Sequence, residues 1–305
     1  MKTLNGIIIK GVGGLYSVET ADGILACKAR GIFRKEGVKP LAGDRVTVET
    51  DGVSAAITVI APRKNSLNRP PVANIDKLVI VSGAVSPVPN LQLIDRLTAA
   101  AAYKGITPVV VFSKCDLADV SRYVNIYRHA GFVSFGFSAV TGEGLAQFDA
   151  VFDGGVCALT GNSGAGKSTL LNRLCPALEL ETAEVSKKLG RGRHTTRAVE
   201  LYKVLGGYIA DTPGFSSFDF DGGGFIPKYD LPDCFPELAE YKDACKFTGC
   251  SHVSEKGCAV LEALQAGKLE PTRHESYKVM YAEAKAVPDW QLKKVAAVFR
   301  EDKKT

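Results

Sequence analysis

The segment Gly161-Asn162-Ser163-Gly164-Ala165-Gly166-Lys167-Ser168 fits the pattern G-x-x-x-x-G-K-[ST], and no other feature of the sequence restricts the fold so tightly. Such a loop works only between a buried strand and a helix. Its glycines let backbone N–H groups curl around a phosphate, and the following helix turns the positive end of its dipole toward the same anion. Both neighbours are in place. Val156–Thr160 is an apolar strand candidate, and Thr169-Leu170-Leu171-Asn172 opens a helix. Lys167 is expected to neutralise the β- and γ-phosphates of a nucleotide and Ser168 to hold Mg²⁺, with Thr169 completing the loop. Farther along, Asp211-Thr212-Pro213-Gly214 ends a second strand candidate, Tyr208–Ala210. Asp211 is placed to reach Mg²⁺ through water, and Gly214 to offer its N–H to the γ-phosphate.

Lys77–Ser82 and Pro108–Phe112 are short continuous apolar runs of the kind buried parallel strands show. Between them Asn90 can cap a helix carrying Leu91, Ile94, Leu97 and Ala101 at helical spacing. Strands alternating with helices predict a doubly wound α/β domain over residues 75–218. Ser113-Lys114-Cys115-Asp116 closes one of those strands and resembles the N/T-K-x-D element by which GTPases choose guanine. Asp116 would accept from the guanine N1–H and N2–H₂, donors that adenine lacks, which argues against an ATPase. The Lys114 stem would lie along the ring. Ser138-Ala139, after another apolar stretch, matches the element whose backbone N–H contacts guanine O6. Ser113 keeps a hydroxyl but lacks the amide of the usual asparagine. In ordinary GTPases the phosphate loop comes first, whereas here the base-reading elements precede it. A parallel sheet can still assemble, because the site is built from loops along one edge whatever their order in the chain.

Residues 1–64 hold short alternating stretches at Gly6–Val12, Leu15–Glu19, Ile24–Ala29, Arg45–Glu49 and Ala56–Ile60, punctuated by Gly and Asp. This spacing predicts a small OB-like β-barrel, a fold that often binds oligonucleotides. Residues 65–74, with Pro70-Pro71, read as an extended linker. Residues 219–305 read as a small helical domain with two amphipathic segments separated near Pro288. That domain carries Cys245, Cys250, His252 and Cys258, spaced C-x₄-C-x-H-x₅-C. Thiolate and imidazole donors over so short a span suit one closed, tetrahedral, structural Zn²⁺ per chain. Nothing at the N-terminus reads as a signal peptide, and no apolar run nears the ~18–20 residues a membrane span needs. A cytosolic, membrane-free protein is expected, so its eight cysteines are not read as disulfides. The net charge of +5 is concentrated at the ends: eleven basic against six acidic residues in 1–69, and eight against five in 271–305. Two basic ends suit contact with a polyanion at two places, although solubility alone could produce the same counts.

A permuted G domain behind a small β-barrel and ahead of a Cys/His cluster resembles the bacterial ribosome small-subunit-dependent GTPase A family. The likeness covers essentially the whole chain and extends to Asn74-Ile75-Asp76 and Gly190-Arg191-Gly192-Arg193-His194-Thr195-Thr196. It implies a GTPase that contacts 16S rRNA in the maturing small subunit and whose slow hydrolysis of GTP to GDP and phosphate the subunit stimulates. It also implies that Cys234 lies outside the metal set. Lys28, Arg30, Arg34, Lys35 and Lys39 would charge the RNA-binding face of the barrel. Residues 187–197 lie where switch I belongs, so Thr195 or Thr196 would meet Mg²⁺ and the γ-phosphate. Many GTPases orient the attacking water with a glutamine after Asp-x-x-Gly; Phe215 stands there and cannot. His194 is the nearest candidate for that task. Phe215 also favours the alternative of a nucleotide-regulated RNA-binding scaffold with negligible turnover. A monomer is expected.

Overall fold

The computed structural model describes residues 1–68, 71–175, 199–211 and 226–288. At the N-terminus, β1 (Lys2–Val12), β2 (Leu15–Thr20), β3 (Gly23–Ala29), β4 (Arg45–Thr50) and β5 (Ala55–Ile60) follow the spatial order β1-β2-β3-β5-β4. β4 pairs back onto β1 from Lys2 to Ile7, which closes an OB-like barrel. Period-2 alternation turns Ile8, Val18, Cys27, Val46, Val48 and Ile57 inward. β1 is laddered on both sides, and Gly6 sits where the two ladders crowd. A Cβ there would overlap the Glu19 carbonyl oxygen. A short helix α1 (Gly31–Lys35), absent from the strand pattern, buries only Phe33.

Within the stretch read as a linker, two short strands form. β6 (Ser66–Asn68) and β7 (Pro71–Ala73) form an antiparallel ribbon, with Leu67 and Val72 in the core of the next domain. Pro71 fits because a strand's first position tolerates the missing donor. Side chains mortise the ribbon in place: Asn65 bonds both the N–H and the C=O of Ile75 at 2.8 Å, and Asn74 Nδ2 donates to Gly43 O at 2.9 Å.

The central sheet consists of β8 (Lys77–Gly83), β9 (Thr107–Ser113), β10 (Val133–Phe137), β11 (Val156–Thr160), β12 (Glu200–Val204) and β13 (Gly207–Asp211). Its order is β10-β9-β8-β11-β13-β12, parallel except for β12, which reaches the barrel through Lys10↔Glu200. Leu78, Ile80, Val110, Phe112 and Ala158 face helices α2 (Leu91–Tyr103) and α3 (Ser121–His129). Val79, Val81, Val109, Val111 and Leu159 face α4 (Gln147–Val151) and α5 (Lys167–Leu174). Burial on both faces is why these strands read as unbroken apolar runs. Asn90 caps α2 by accepting from Leu93 N at 3.1 Å.

The C-terminal unit holds α6 (Pro236–Ala239), α7 (Ala259–Gln265) and α8 (Pro271–Ala286) around Leu231, Phe235, Leu238, Val260, Tyr277 and Met280. Pro271 occupies the first turn of α8, where no N–H is needed, and the helix ends ahead of Pro288. The helical segment expected beyond Pro288 lies outside the described residues. Among the described residues no helix is long and apolar enough to cross a membrane.

Candidate nucleotide site and metal cluster

In a doubly wound sheet, ligands bind beyond the carboxyl ends of the strands, where the chain order reverses. Here the reversal falls between β8 and β11. From β8 the chain steps outward through β9 and β10, then returns to β11 on the other side. The five parallel strands deliver residues 84–90, 113–116, 138–139, 161–168 and 211 to one edge. The expected phosphate and base elements therefore converge although they are far apart in the chain.

Gly161 sits at φ +141°, tight against β8, and any Cβ would overlap the Val81 carbonyl oxygen. Gly166, at φ +85°, turns the chain into α5. Between them Asn162, Ser163, Gly164 and Ala165 curve around the helix start, and Ala165 N donates to Asn162 O at 3.1 Å. Lys167 folds back over this loop, its Nζ donating to Gly161 O at 2.6 Å and Asn162 O at 2.8 Å. Burial pulls its ammonium below the ordinary value. Ser168 and Thr169 occupy the first turn of α5, half-buried and exposed respectively. The backbone of Asp211 ends β13, on the strand beside β11.

The residues expected to read the base are joined to this loop directly. Ser113, buried at the end of β9, donates from Oγ to Ala165 O at 2.6 Å. Lys114 takes a left-handed backbone at φ +60° and donates from Nζ to Val85 O at 3.2 Å and Ser86 O at 3.0 Å. Cys115 packs beneath Gly136, and burial, reinforced by Glu143, pushes its thiol up to about 11. Asp116 is exposed at the mouth of the loop. Ser138 is buried, with Oγ accepting from Val140 N and Thr141 N, while Ala139 is half-buried beside it. Two contributors lie outside the expected motifs. The Val85-Ser86-Pro87 loop holds Lys114 and abuts Gly164. Gly144, at φ +80°, lets the 138–145 loop close on Gly136, which a Cβ would block. The Gly142-x-Gly144 spacing was the available sign of that turn. His194, Thr195, Thr196, Gly214 and Phe215 lie outside the described residues.

The second cluster is in the C-terminal unit. The donor atoms of Cys245, Cys250, His252 and Cys258 all lie within 4.8 Å of one another. His252 Nδ1 stands 3.5 Å from the sulfurs of both Cys245 and Cys258, which are themselves 3.8 Å apart. A tetrahedron with ~2.3 Å metal–sulfur bonds has edges of about 3.8 Å, the separation of the Cys245 and Cys258 sulfurs. Cys245 follows a 3₁₀ turn, Lys242–Ala244, and Cys258 is the N-cap of α7. His252, at φ +60°, is pinned from behind by His274 Nε2 against its carbonyl at 2.8 Å, and Tyr277 Oη donates to Ser251 O at 2.8 Å. Burial works against the Glu255 carboxylate, yet the Ser251 hydroxyl and neighbouring N–H groups hold it down at about 2. Cys234 is elsewhere, donating to Asp230 O at 3.3 Å. The cluster could hold a metal.

A parallel P-loop sheet whose base-side strands precede the phosphate loop, behind an OB-like barrel, is a circularly permuted G domain. The sequence profile of the RsgA GTPase family matches residues 60–221, and that of the RsgA N-terminal domain matches residues 5–57. The small ribosomal subunit biogenesis GTPase RsgA of Geobacillus thermodenitrificans is 45% identical over 287 residues, covering 92% of this chain and 97% of that protein. Its namesake in Caldanaerobacter subterraneus is 41% identical over 290 residues, covering 93% and 97%. Among solved structures, YloQ, a circularly permuted GTPase, superposes with a TM-score of 0.79 at 32% identity, over 93% of this chain and 96% of that one. YjeQ from Thermotoga maritima does so with a TM-score of 0.79 at 30% identity, over 94% and 100%. The chain belongs to the RsgA GTPase family and is a GTP hydrolase.

Proposed function

We propose that this GTPase acts on the maturing small ribosomal subunit, contacting 16S rRNA and hydrolysing GTP to GDP and phosphate when the subunit stimulates it. The observation carrying the nucleotide reading is the 2.6 Å bond from Ser113 Oγ to Ala165 O, which fixes the base-side loop against the phosphate loop. On this reading Gly161–Gly166 and Thr169 cradle the phosphates, and Lys167 exchanges two loop carbonyls for phosphate oxygens. Ser168 and Asp211 serve Mg²⁺, and Gly214 meets the γ-phosphate. Asp116, Lys114, Cys115, Ser138 and Ala139 frame the guanine. His194 orients the attacking water, with Thr195 or Thr196 sensing Mg²⁺. The names of the relatives support the subunit as partner. The exposed run of Lys28, Arg30, Arg34, Lys35 and Lys39 on and after β3 supports rRNA contact by the barrel. Three sulfurs and one imidazole favour zinc over harder ions. Residues 1–64, 75–218 and 219–305 then act as RNA-binding, catalytic and zinc-binding units of a cytoplasmic monomer.

Single-turnover GTP hydrolysis, with and without purified small subunits, tests this. Subunits should raise the wild-type rate, Asp116→Ala should lose the preference for GTP over ATP, and His194→Ala should lose about 10²-fold of the stimulated rate. No stimulation by subunits would favour the scaffold alternative that Phe215 suggests.

A further inference from the structure

Arg273 is the largest fully buried side chain in the described protein, and it belongs to neither candidate site. It rises from α8 of the C-terminal unit into the G domain. Its Nη1 donates to Asp95 Oδ1 on α2 at 2.7 Å and reaches Thr98 Oγ1 at 3.3 Å, while Nε bonds Glu237 of α6. Tyr127 on α3 donates its hydroxyl to the same Asp95 oxygen at 2.9 Å and lies 3.5 Å from the Leu91 carbonyl. The guanidinium is 5.7 Å from the Tyr127 ring centroid and 4.9 Å from that of Phe132.

Asp95 thus ties together two helices, and each of them follows directly from a loop that shapes the base end of the nucleotide site. α2 continues from residues 84–90, whose carbonyls hold Lys114. α3 follows the loop that begins with Lys114, Cys115 and Asp116. The strand end between them is gripped as well, because Phe112, immediately before Ser113, stacks on Tyr123 at 5.5 Å and meets the tilted Tyr127 ring at 5.9 Å. A shift of α2 against α3 would therefore move the Lys114 clamp relative to Asp116. Two buried acids meet at Arg273, so the join is held only while the guanidinium is seated between them.

We infer that Arg273 is a positioning residue for base recognition: through Asp95 and Tyr127 it sets the spacing of the two loops that present Lys114 and Asp116. The inference rests on the reading of residues 113–116 as the base-recognition element. The coupling reaches the two base-side loops first, so base discrimination is its readout, and neither partner of the Ser113–Ala165 bond is altered by changing Arg273 or Tyr127.

The test measures GDP and ADP affinity by calorimetry on the full chain, well below each variant's melting temperature. Tyr127→Phe removes only the hydroxyl bond to Asp95, and Arg273→Lys keeps the charge but loses the planar fork. Each should weaken GDP binding about 5-fold or more, within the usual range for coupled sites, and weaken ADP binding less, so that discrimination narrows. A purely structural arginine would lower the melting temperature without changing the GDP-to-ADP ratio. Asp116→Ala is the control on the underlying reading. If it abolishes discrimination while both other variants stay within about twofold of wild type, the positioning role is wrong and the base assignment stands. If Asp116→Ala keeps the wild-type preference, the base assignment fails and the inference falls with it. Should Arg273→Lys not fold, Tyr127→Phe decides alone.

Discussion

The barrel and the C-terminal unit flank the same G domain, yet one is joined through half-exposed charges and the other through a buried arginine. Lys10–Glu200 at 2.5 Å, Lys203–Glu19 at 2.7 Å and Tyr208 Oη–Glu19 at 3.0 Å line the barrel side, where the Lys203 side chain is 66% exposed. Packing contributes on this side too: Ala42 lies in the core of the G domain with Ile7 and Ile9 against it, and Gly43 is clasped by Ala73 and Asn74. On the other side, Arg273 and Asp95 are at most 1% exposed, and Ala99 of α2 lies inside the C-terminal core. Exposed pairs are screened by salt and cost little to break, whereas buried ones hold or fail as a unit. The barrel side is therefore expected to yield first to a perturbation, and the C-terminal unit to stay with α2 and α3.

Metal removal probes the rigid side most severely. Residues 246–257 between the ligands form loop rather than helix or strand, and only scattered side chains such as Cys250 and Val253 pack on the core. Structural zinc in small domains supplies roughly 10–16 kcal/mol of apparent binding energy at neutral pH, and if the cluster holds the zinc proposed above, that energy would hold the loop. Chelation should make amides from Lys246 to Gly257 exchange rapidly with deuterium while β8–β11 stay protected. Cys250→Ser should do the same without a chelator. Unchanged exchange after complete chelation would mean that hydrogen bonds from His274 and Tyr277 suffice to hold the loop.

The next effect in size is Arg273→Met. It leaves Asp95 and Glu237 buried without a cation, which costs about 3–5 kcal/mol when one partner of a buried pair is removed. Urea unfolding should show this loss. A smaller loss would mean that the C-terminal unit relaxes away from α2, and the contrast between the two sides would weaken.

The features readable from sequence are those whose physics is local. The phosphate loop announces itself because Gly161, Gly164 and Gly166 all need positive φ, and the metal cluster because its four donors fall within fourteen residues, from Cys245 to Cys258. Strands β8, β9 and β11 were legible because burial on both faces leaves continuous apolar runs. The ribbon at 66–73 was not, since Pro70-Pro71 reads as a break until the partner strand is known. Arg273 was invisible for a different reason. Its partners Asp95 and Glu237 lie 178 and 36 positions away, and a lone basic residue on a helix ordinarily faces water. The second role of Ser113 was hidden likewise: its acceptor, the Ala165 carbonyl, is 52 positions distant.

The smallest effect should come from Glu19→Gln on the barrel side. Glu19 accepts from both Lys203 and Tyr208, and the Lys203 contact, helped by Tyr208 and opposed by partial burial, lowers its carboxyl below the ordinary value. A lowered folded-state value means that the contact stabilises above the unfolded carboxylate's range, near pH 4.5, and is lost as pH falls through the folded one. Glutamine keeps the shape and the hydrogen-bonding oxygen but removes the charge. Its cost should therefore be at least about fivefold smaller than that of Arg273→Met, and should vanish in ~1 M salt, where the screening length is only about 3 Å. Solution scattering at low and high salt supplies the second reading. If the barrel is held mainly by these charges, wild type in high salt and Glu19→Gln in low salt should both show a broader distribution of interdomain distances than wild type in low salt. Identical profiles in all three would mean that the packed seam of Ile7, Ile9, Ala42 and the Gly43–Asn74 clasp fixes the barrel, and that both flanking domains are rigid.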